Sequence, residues 1–176
     1  MPNPGGSGGS TSSDRAGQDV LVGIADVDQG ILLVAGHPSS HFRGERPETV
    51  VAAAERALGL TFPPSYRRFI ERLGAGSIGG LEIYGVTEEP FDGPIPDGVW
   101  ATLDSRSGPS KLPATMVVIG DDGMGGEYVL DTATGSEPPV EVWNGGASRP
   151  GDPLEQVGAD FGSFFLDEVR LQVAKP

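Results

Sequence analysis

The apolar residues of this chain stand in short runs interrupted by Gly and Pro, and this spacing limits the chain to short helices and strands. The 176 residues include 28 Gly and 16 Pro, a quarter of the total. Gly adopts positive φ at little steric cost and Pro interrupts regular hydrogen bonding, so both residues commonly mark turns. The length suits one globular domain with a sizeable core. We therefore predict a single domain with many turns.

The first seventeen residues differ from the rest because they show no apolar periodicity. They are mainly Gly, Ser, Thr, Pro and Asn, and such a segment buries too little apolar surface to offset the entropy of ordering it. We predict a disordered tail over residues 1–17 and a folded domain over residues 18–174. The tail lacks the basic and apolar regions of a secretory signal. The absence of Cys suits a reducing compartment, so we expect a cytoplasmic protein.

Two short amphipathic helices are predicted in the N-terminal half. The first begins near Pro47 and ends at Gly59, and the second follows Pro63 and Pro64 and ends at Gly74. Pro is favoured in a first helical turn and Gly just after a last one. In the second helix, apolar residues recur at i, i+3, i+4 and i+7 and define one face, namely Tyr66, Phe69, Ile70 and Leu73. Each apolar face needs a sheet to pack against.

Strand signals dominate the C-terminal half. Residues 116–119 and 128–130 flank the glycine-rich sequence GDDGMGGE and predict a hairpin, which residues 140–143 extend into a meander. Residues 81–86 form another candidate strand, and residues 99–103 a weaker one. A C-terminal helix is predicted over about residues 161–173, with Asp160 as its N-cap.

The two apolar runs within residues 20–35 favour a hairpin or a strand-loop-strand unit, and a helical turn stays open as the alternative. The order of elements predicts the α+β class. We expect a mixed, mainly antiparallel sheet with the two N-terminal-half helices and the C-terminal helix packed on it. The aromatic residues of the helices are expected in the core, and Trp100 and Trp143 at core or half-buried positions.

The net charge of −13 arises mainly from residues 82–168, which hold 17 Asp or Glu and 3 Lys or Arg. Such a surface repels phosphate backbones and anionic membranes, so we expect neither nucleic acid nor membrane as a partner. It attracts a basic protein, although acidic residues also serve solubility alone. The candidate partner-binding residues are the acids of the predicted loops: Glu88, Glu89, Asp92, Asp97, Asp104, Asp121 and Asp122.

The motifs give no catalytic residue, metal site or cofactor. The acids of GDDGMGGEYVLD do not follow the spacing of a calcium-binding loop. His37 and His41 are separated by four positions, but Pro38 between them favours a loop over a helix, and no G-x-S-x-G motif occurs in the predicted folded domain. A metal-dependent hydrolase would have to use the four acids Asp121, Asp122, Glu127 and Asp131, and we keep it as an alternative.

Several runs stand in an order that resembles the SUKH superfamily, which includes bacterial toxin-immunity proteins and fungal cell-wall assembly regulators. The runs cover about residues 47–170, and they are Glu55 with Leu58-Gly59, FPPSYRRFI, LEIYGV, LPATMVVIGDDGMGGEYVLD, PVEVW and ADFGSFFLDEV. The resemblance implies an α+β fold and, for most bacterial members, binding of a secreted polymorphic toxin. It also implies that Glu55, Tyr66 and Asp131 either make structural hydrogen bonds or share a role that the sequence does not reveal.

From the charge and the resemblance together, we expect an immunity protein and not an enzyme. It would neutralise a cognate toxin, a basic nuclease, by covering the toxin with an acidic surface. The alternative is a regulatory or scaffolding domain with an endogenous partner, as the fungal members suggest. The sequence leaves the oligomeric state open.

Overall fold

The computed structural model describes residues 12–93 and 96–175. The α+β class is confirmed, and so is the helix that ends the fold. The helices are α1 (Ser12–Val34), α2 (Glu48–Leu58), α3 (Pro64–Leu73), α4 (Gly98–Ser107) and α5 (Phe161–Val173). The strands are β1 (Ser40–Phe42), β2 (Gly76–Ile78), β3 (Leu81–Ile83), β4 (Met116–Asp121), β5 (Glu127–Asp131), β6 (Val140–Trp143) and β7 (Glu155–Gly158).

The described strands form two antiparallel sheets, whereas the prediction is a single mixed, mainly antiparallel sheet. One sheet has the order β1-β2-β3, and the other is the meander β4-β5-β6-β7. The predicted hairpin is confirmed as β4 and β5, in which Val118 pairs with Val129. The sheets meet just beyond β3, where the Tyr84 amide donates a hydrogen bond to the Ile119 carbonyl at 2.8 Å.

The three helices predicted from periodicity are confirmed, and they enclose an aromatic core. Tyr66 and Phe69 of α3 are at most 1% exposed. The Tyr66 ring lies 5.0 Å from the ring of Phe161, and the Phe69 ring lies 5.2 Å from that of Phe165. Asp160 caps α5 as predicted, because its carboxylate accepts a hydrogen bond from the Ser163 amide at 2.8 Å. The two edge-to-face ring pairs, Tyr66 with Phe161 and Phe69 with Phe165, add to the energy of apolar burial.

The segment before β1 is one long helix, so the predicted hairpin or strand-loop-strand unit is wrong. Residues 12–17 of the predicted tail form the exposed start of α1, and residues 1–11 lie outside the described residues. The helix packs mainly on α5 and α3. Its glycines permit this packing, since a Cβ at Gly30 would stand 2.6 Å from the Phe165 ring. Among the described residues, no helix is long and apolar enough to cross a membrane.

Residues 99–103, predicted as a weak strand, lie in α4. The helix begins after Asp97, whose carboxylate accepts a hydrogen bond from the Trp100 amide at 2.8 Å. Trp100 is partly buried and Trp143 is 1% exposed, as expected for both.

The three residues that the resemblance singles out all make internal hydrogen bonds. Glu55 accepts one from the Phe62 amide at 2.9 Å and also pairs with Arg67. The Tyr66 hydroxyl donates to the Tyr84 carbonyl at 3.0 Å, and Asp131 accepts from the amide two residues ahead at 3.0 Å. These contacts therefore favour structural hydrogen bonding over a shared functional role for the three residues.

Candidate partner-binding surface

The structure distributes the seven predicted contact residues over four separate positions. One of the seven residues is buried in the interior. Three line a depression beside two arginines, two lie at the β4–β5 turn, and one is exposed on α4. In that order they are Asp97; Glu88, Glu89 and Asp92; Asp121 and Asp122; and Asp104.

Asp97 is buried, so its prediction as a surface contact needs correction. Its side chain is 0% exposed, and both carboxylate oxygens are used within the fold. One oxygen caps α4, and the other accepts hydrogen bonds from the hydroxyl and the amide of Thr87. A carboxylate held in this way fixes the loop to the helix and is not available to a partner.

The acidic loop, defined as Glu88, Glu89 and Asp92, is exposed but not electrostatically isolated. These residues share a depression of about 320 Å³ with Arg43 and Arg46. Arg46 is anchored there because its Nε donates a hydrogen bond to the Val86 carbonyl at 3.0 Å. The two guanidinium groups offset most of the three negative charges, so a basic partner gains less attraction at this loop.

The acidic depression, defined as Glu82, Asp121, Asp122 and Glu168, lies where three elements meet. Glu82 comes from β3, the two aspartates from the end of β4 and the turn after it, and Glu168 from α5. The depression has a volume of about 310 Å³, and Tyr128 contributes to its wall. Within the described part of the chain, none of the four carboxylates forms a salt bridge with Lys or Arg. The depression is therefore strongly negative, and the nearby Lys175 ammonium donates its hydrogen bond to Gln172 at the edge of the depression, at 2.9 Å.

Hydrogen bonds hold the two aspartates in place. Asp121 accepts one from the Tyr84 hydroxyl at 2.6 Å. Asp122 accepts hydrogen bonds from the amides of Met124 and Gly126, which lower the pKa of its carboxyl. At Glu82 the effect is opposite, because burial and the charge of Asp121 raise the pKa of that carboxyl. A bound cation would relieve the repulsion at Glu82.

Sequence reasoning did not select Glu82 or Glu168 for this surface. Glu82 is the single exposed position between the buried Leu81 and Ile83 of β3, so strand alternation could have placed it on the outer face. Glu168 lies 86 positions farther along the chain. Only the packing of α5 beside β3 brings the two carboxylates to one depression.

A second depression lies next to the same turn, and we call it the glycine-rimmed pocket. It has a volume of about 320 Å³, and its lining residues are Pro109, Ser110, Gly125, Glu127, Gly145 and Gly146. The Glu127 carboxylate accepts hydrogen bonds from the hydroxyls of Ser105 and Ser110. Ser110 also accepts one from the Trp143 indole at 2.9 Å. Burial raises the pKa of Glu127, and the charge of Asp104 adds to this shift.

The four acids considered for a metal site do not converge. Asp121 pairs with Glu127 at one end of the β4–β5 hairpin, whereas Asp131 pairs with Met116 at the other end. The five residue steps of β4 from Met116 to Asp121 separate these ends by about 17 Å. The described residues contain no group of three or more His, Cys, Asp or Glu side chains placed to hold a metal ion. The hydrolase alternative therefore lacks its proposed ligand set.

A comparison with protein families gives one match. The family model described as SUKH_5, SMI1-KNR4 cell-wall, matches residues 39–170. This span is about three quarters of the chain and runs from just before β1 into α5, so α1 lies outside it. No match to a curated protein was found. The acidic depression and the glycine-rimmed pocket both lie inside the matched span.

Proposed function

Because the chain belongs to the SUKH_5 (SMI1-KNR4 cell-wall) family, we propose that it is an immunity protein which binds and neutralises a cognate secreted toxin. The family is consistent with toxin-neutralising proteins in general. The proposed toxin is a basic nuclease, since an enzyme that grips a phosphate backbone presents a cationic cleft. In this proposal, the chain acts in the cytoplasm by covering that cleft, and it requires neither catalysis nor a cofactor.

The observation that carries this proposal is the group of four carboxylates in the acidic depression, none of which forms a salt bridge with a described Lys or Arg. Opposite charge across an interface steers association and suppresses wrong partners. Asp121 and Asp122 are the predicted contact residues that lie in this depression. Asp104 lies near the neighbouring glycine-rimmed pocket, where its charge raises the pKa of Glu127. The acidic loop contributes less in this proposal because Arg43 and Arg46 stand beside it.

The first experiment is co-purification of the chain with the product of the adjacent gene. The proposal predicts a stable complex that blocks the nuclease activity of that product. A neighbour that is neither toxic nor bound by the chain would contradict the proposal.

The second experiment separates the two acidic regions by matched triple variants. One variant combines Glu82→Gln, Asp121→Asn and Glu168→Gln. Its control removes the same three charges from the acidic loop, through Glu88→Gln, Glu89→Gln and Asp92→Asn. Three exposed ion pairs of about 0.2–1 kcal/mol each amount to roughly a tenfold loss of affinity.

We expect that loss for the depression variant, with a smaller salt dependence of binding measured by calorimetry. The loop control should lose less affinity. Equal losses in both variants would argue against the depression as the main contact, and no loss in either would remove the electrostatic basis of the proposal.

A second candidate function is regulation or scaffolding with an endogenous partner. The family description, which refers to the cell wall, favours it. This candidate predicts that no toxin gene lies next to the gene for this chain, and that the protein is recovered from cells with an endogenous protein whose binding depends on the same depression.

A further inference from the structure

The glycine-rimmed pocket has the chemistry of a receptor for one cationic side chain. It opens beside the β4–β5 turn and is also bordered by the segments that follow α4 and β6. Three of its six described lining residues are Gly, so backbone forms much of its wall. Glu127 is the one charged residue among those six.

Glu127 differs from two other half-buried acids, Glu55 and Glu137, in the groups that contact its carboxylate. Glu55 pairs with Arg67 at 2.9 Å. Glu137 accepts a hydrogen bond from the Ser65 amide at the start of α3, at 2.9 Å, and another from the Ser65 hydroxyl. A guanidinium or a helix N-terminus supplies positive charge in these cases. Glu127 receives neutral serine hydroxyls instead, and it forms no salt bridge within the described part of the chain.

A partly desolvated carboxylate is costly unless a cation or strong donors compensate it. We propose that the pocket binds an arginine side chain of a protein partner, with the guanidinium against the Glu127 carboxylate. The planar guanidinium suits this position because it donates two parallel hydrogen bonds to one carboxylate. Asp104 adds long-range attraction at the same place. The inference rests on the proposed function only in assigning the arginine to a toxin.

The Trp143 indole provides a reporter inside the protein. It is 1% exposed, and its N–H donates to Ser110, whose hydroxyl contacts Glu127. A guanidinium on Glu127 should therefore shift the indole N–H resonance without touching the ring. The probe is N-acetylarginine amide, titrated into the ¹⁵N-labelled full chain. N-acetylcitrulline amide, which has the same shape and no charge, is the matched control.

We expect a saturable shift of the indole resonance with the arginine probe and none with citrulline. Glu127→Gln should weaken binding of the arginine probe by at least about tenfold, the loss typical for a hydrogen bond to a charged group. Asp19→Asn, which removes an equal charge from the exposed side of α1, should leave binding unchanged. Gly146→Leu tests the same site by steric means, because its side chain should occupy the pocket and weaken binding of the probe. The backbone tolerates the substitution, since a Cβ there meets a described neighbour no closer than 3.5 Å.

A shift that does not saturate, an equal response to citrulline, or full binding to both Glu127→Gln and Gly146→Leu would overturn the inference. If Glu127→Gln fails to fold, Gly146→Leu decides alone. A toxin that binds the parent and Glu127→Gln equally would refute the pocket and leave the proposed function standing. Saturable arginine binding without any toxin partner would support the pocket and count against the toxin assignment.

Discussion

Replacing Gly162 by Ala introduces a methyl group at the point where α5 crosses α1. A Cβ at this position would lie 2.8 Å from the Gly23 Cα and 2.7 Å from its carbonyl carbon, with the carbonyl oxygen closer still. These are backbone atoms of another helix, so no side-chain rotation relieves the clash. The helices must separate, and Val27 of α1, now 0% exposed, would lose part of its packing.

The size of the effect follows from two opposing contributions. Forcing extra volume into a packed interface costs roughly 1–3 kcal/mol, and the better helix propensity of Ala returns up to about 1 kcal/mol. We expect a net loss of about 1–2 kcal/mol in the free energy of unfolding. For a chain of this length, each kcal/mol lowers Tm by about 2–4 °C.

The matched control is Gly17→Ala in the same helix pair. Gly17 is exposed on α1, and a Cβ there meets no described atom within 4 Å. The same substitution should therefore stabilise the protein by up to about 1 kcal/mol. Urea unfolding followed by Trp fluorescence measures both variants. Equal or greater stability for Gly162→Ala would refute the close α1–α5 packing.

Three further predictions concern stability. Tyr66→Phe should cost about 1 kcal/mol in urea unfolding, because the buried hydroxyl then no longer satisfies the Tyr84 carbonyl; an unchanged midpoint would contradict this. Burial raises the pKa of Glu137 more than the hydrogen bonds from Ser65 lower it, so the native state holds this proton more tightly than the unfolded chain does. The contribution of Glu137 to stability should therefore increase as the pH falls from neutral toward 4.5, the ordinary value of this carboxyl. Glu137→Gln should remove this pH-dependent contribution, and a variant with the pH profile of the parent would contradict the prediction. Arg67→Lys should cost about 1 kcal/mol at low salt, because one guanidinium contacts three carboxylates; a loss unaffected by added salt would show that charge is not the cause.

The elements predicted correctly are those whose signals are local. In α3, the spacing of Tyr66 and Phe69 identifies the buried face without reference to the rest of the chain. The β4–β5 hairpin is equally local, since its two apolar strands flank one glycine-rich turn.

The elements that were missed depend on contacts between distant segments. The glycines of α1 look like turn residues in sequence, but Gly23 and Gly30 are where α5 and its Phe165 approach the helix. The sequence predicts a loop at Asp97 because the helix that it caps has weak amphipathicity. Sequence reasoning therefore recognised an acidic residue but could not determine that its carboxylate is buried.

The candidate surface was predictable only in part for the same reason. Asp121 and Asp122 belong to a turn that the sequence locates by itself. Glu82 and Glu168 join them through the tertiary packing of β3 and α5, which no short-range pattern encodes.

The proposal that this chain is an immunity protein is tested most directly by growth protection. The product of the adjacent gene is expressed in a sensitive host alone, with the parent chain, or with the Glu82→Gln/Asp121→Asn/Glu168→Gln variant. The immunity proposal predicts growth arrest with the toxin alone, full growth with the parent chain, and reduced protection by the variant at equal protein levels. Growth arrest that the parent chain does not relieve would contradict it.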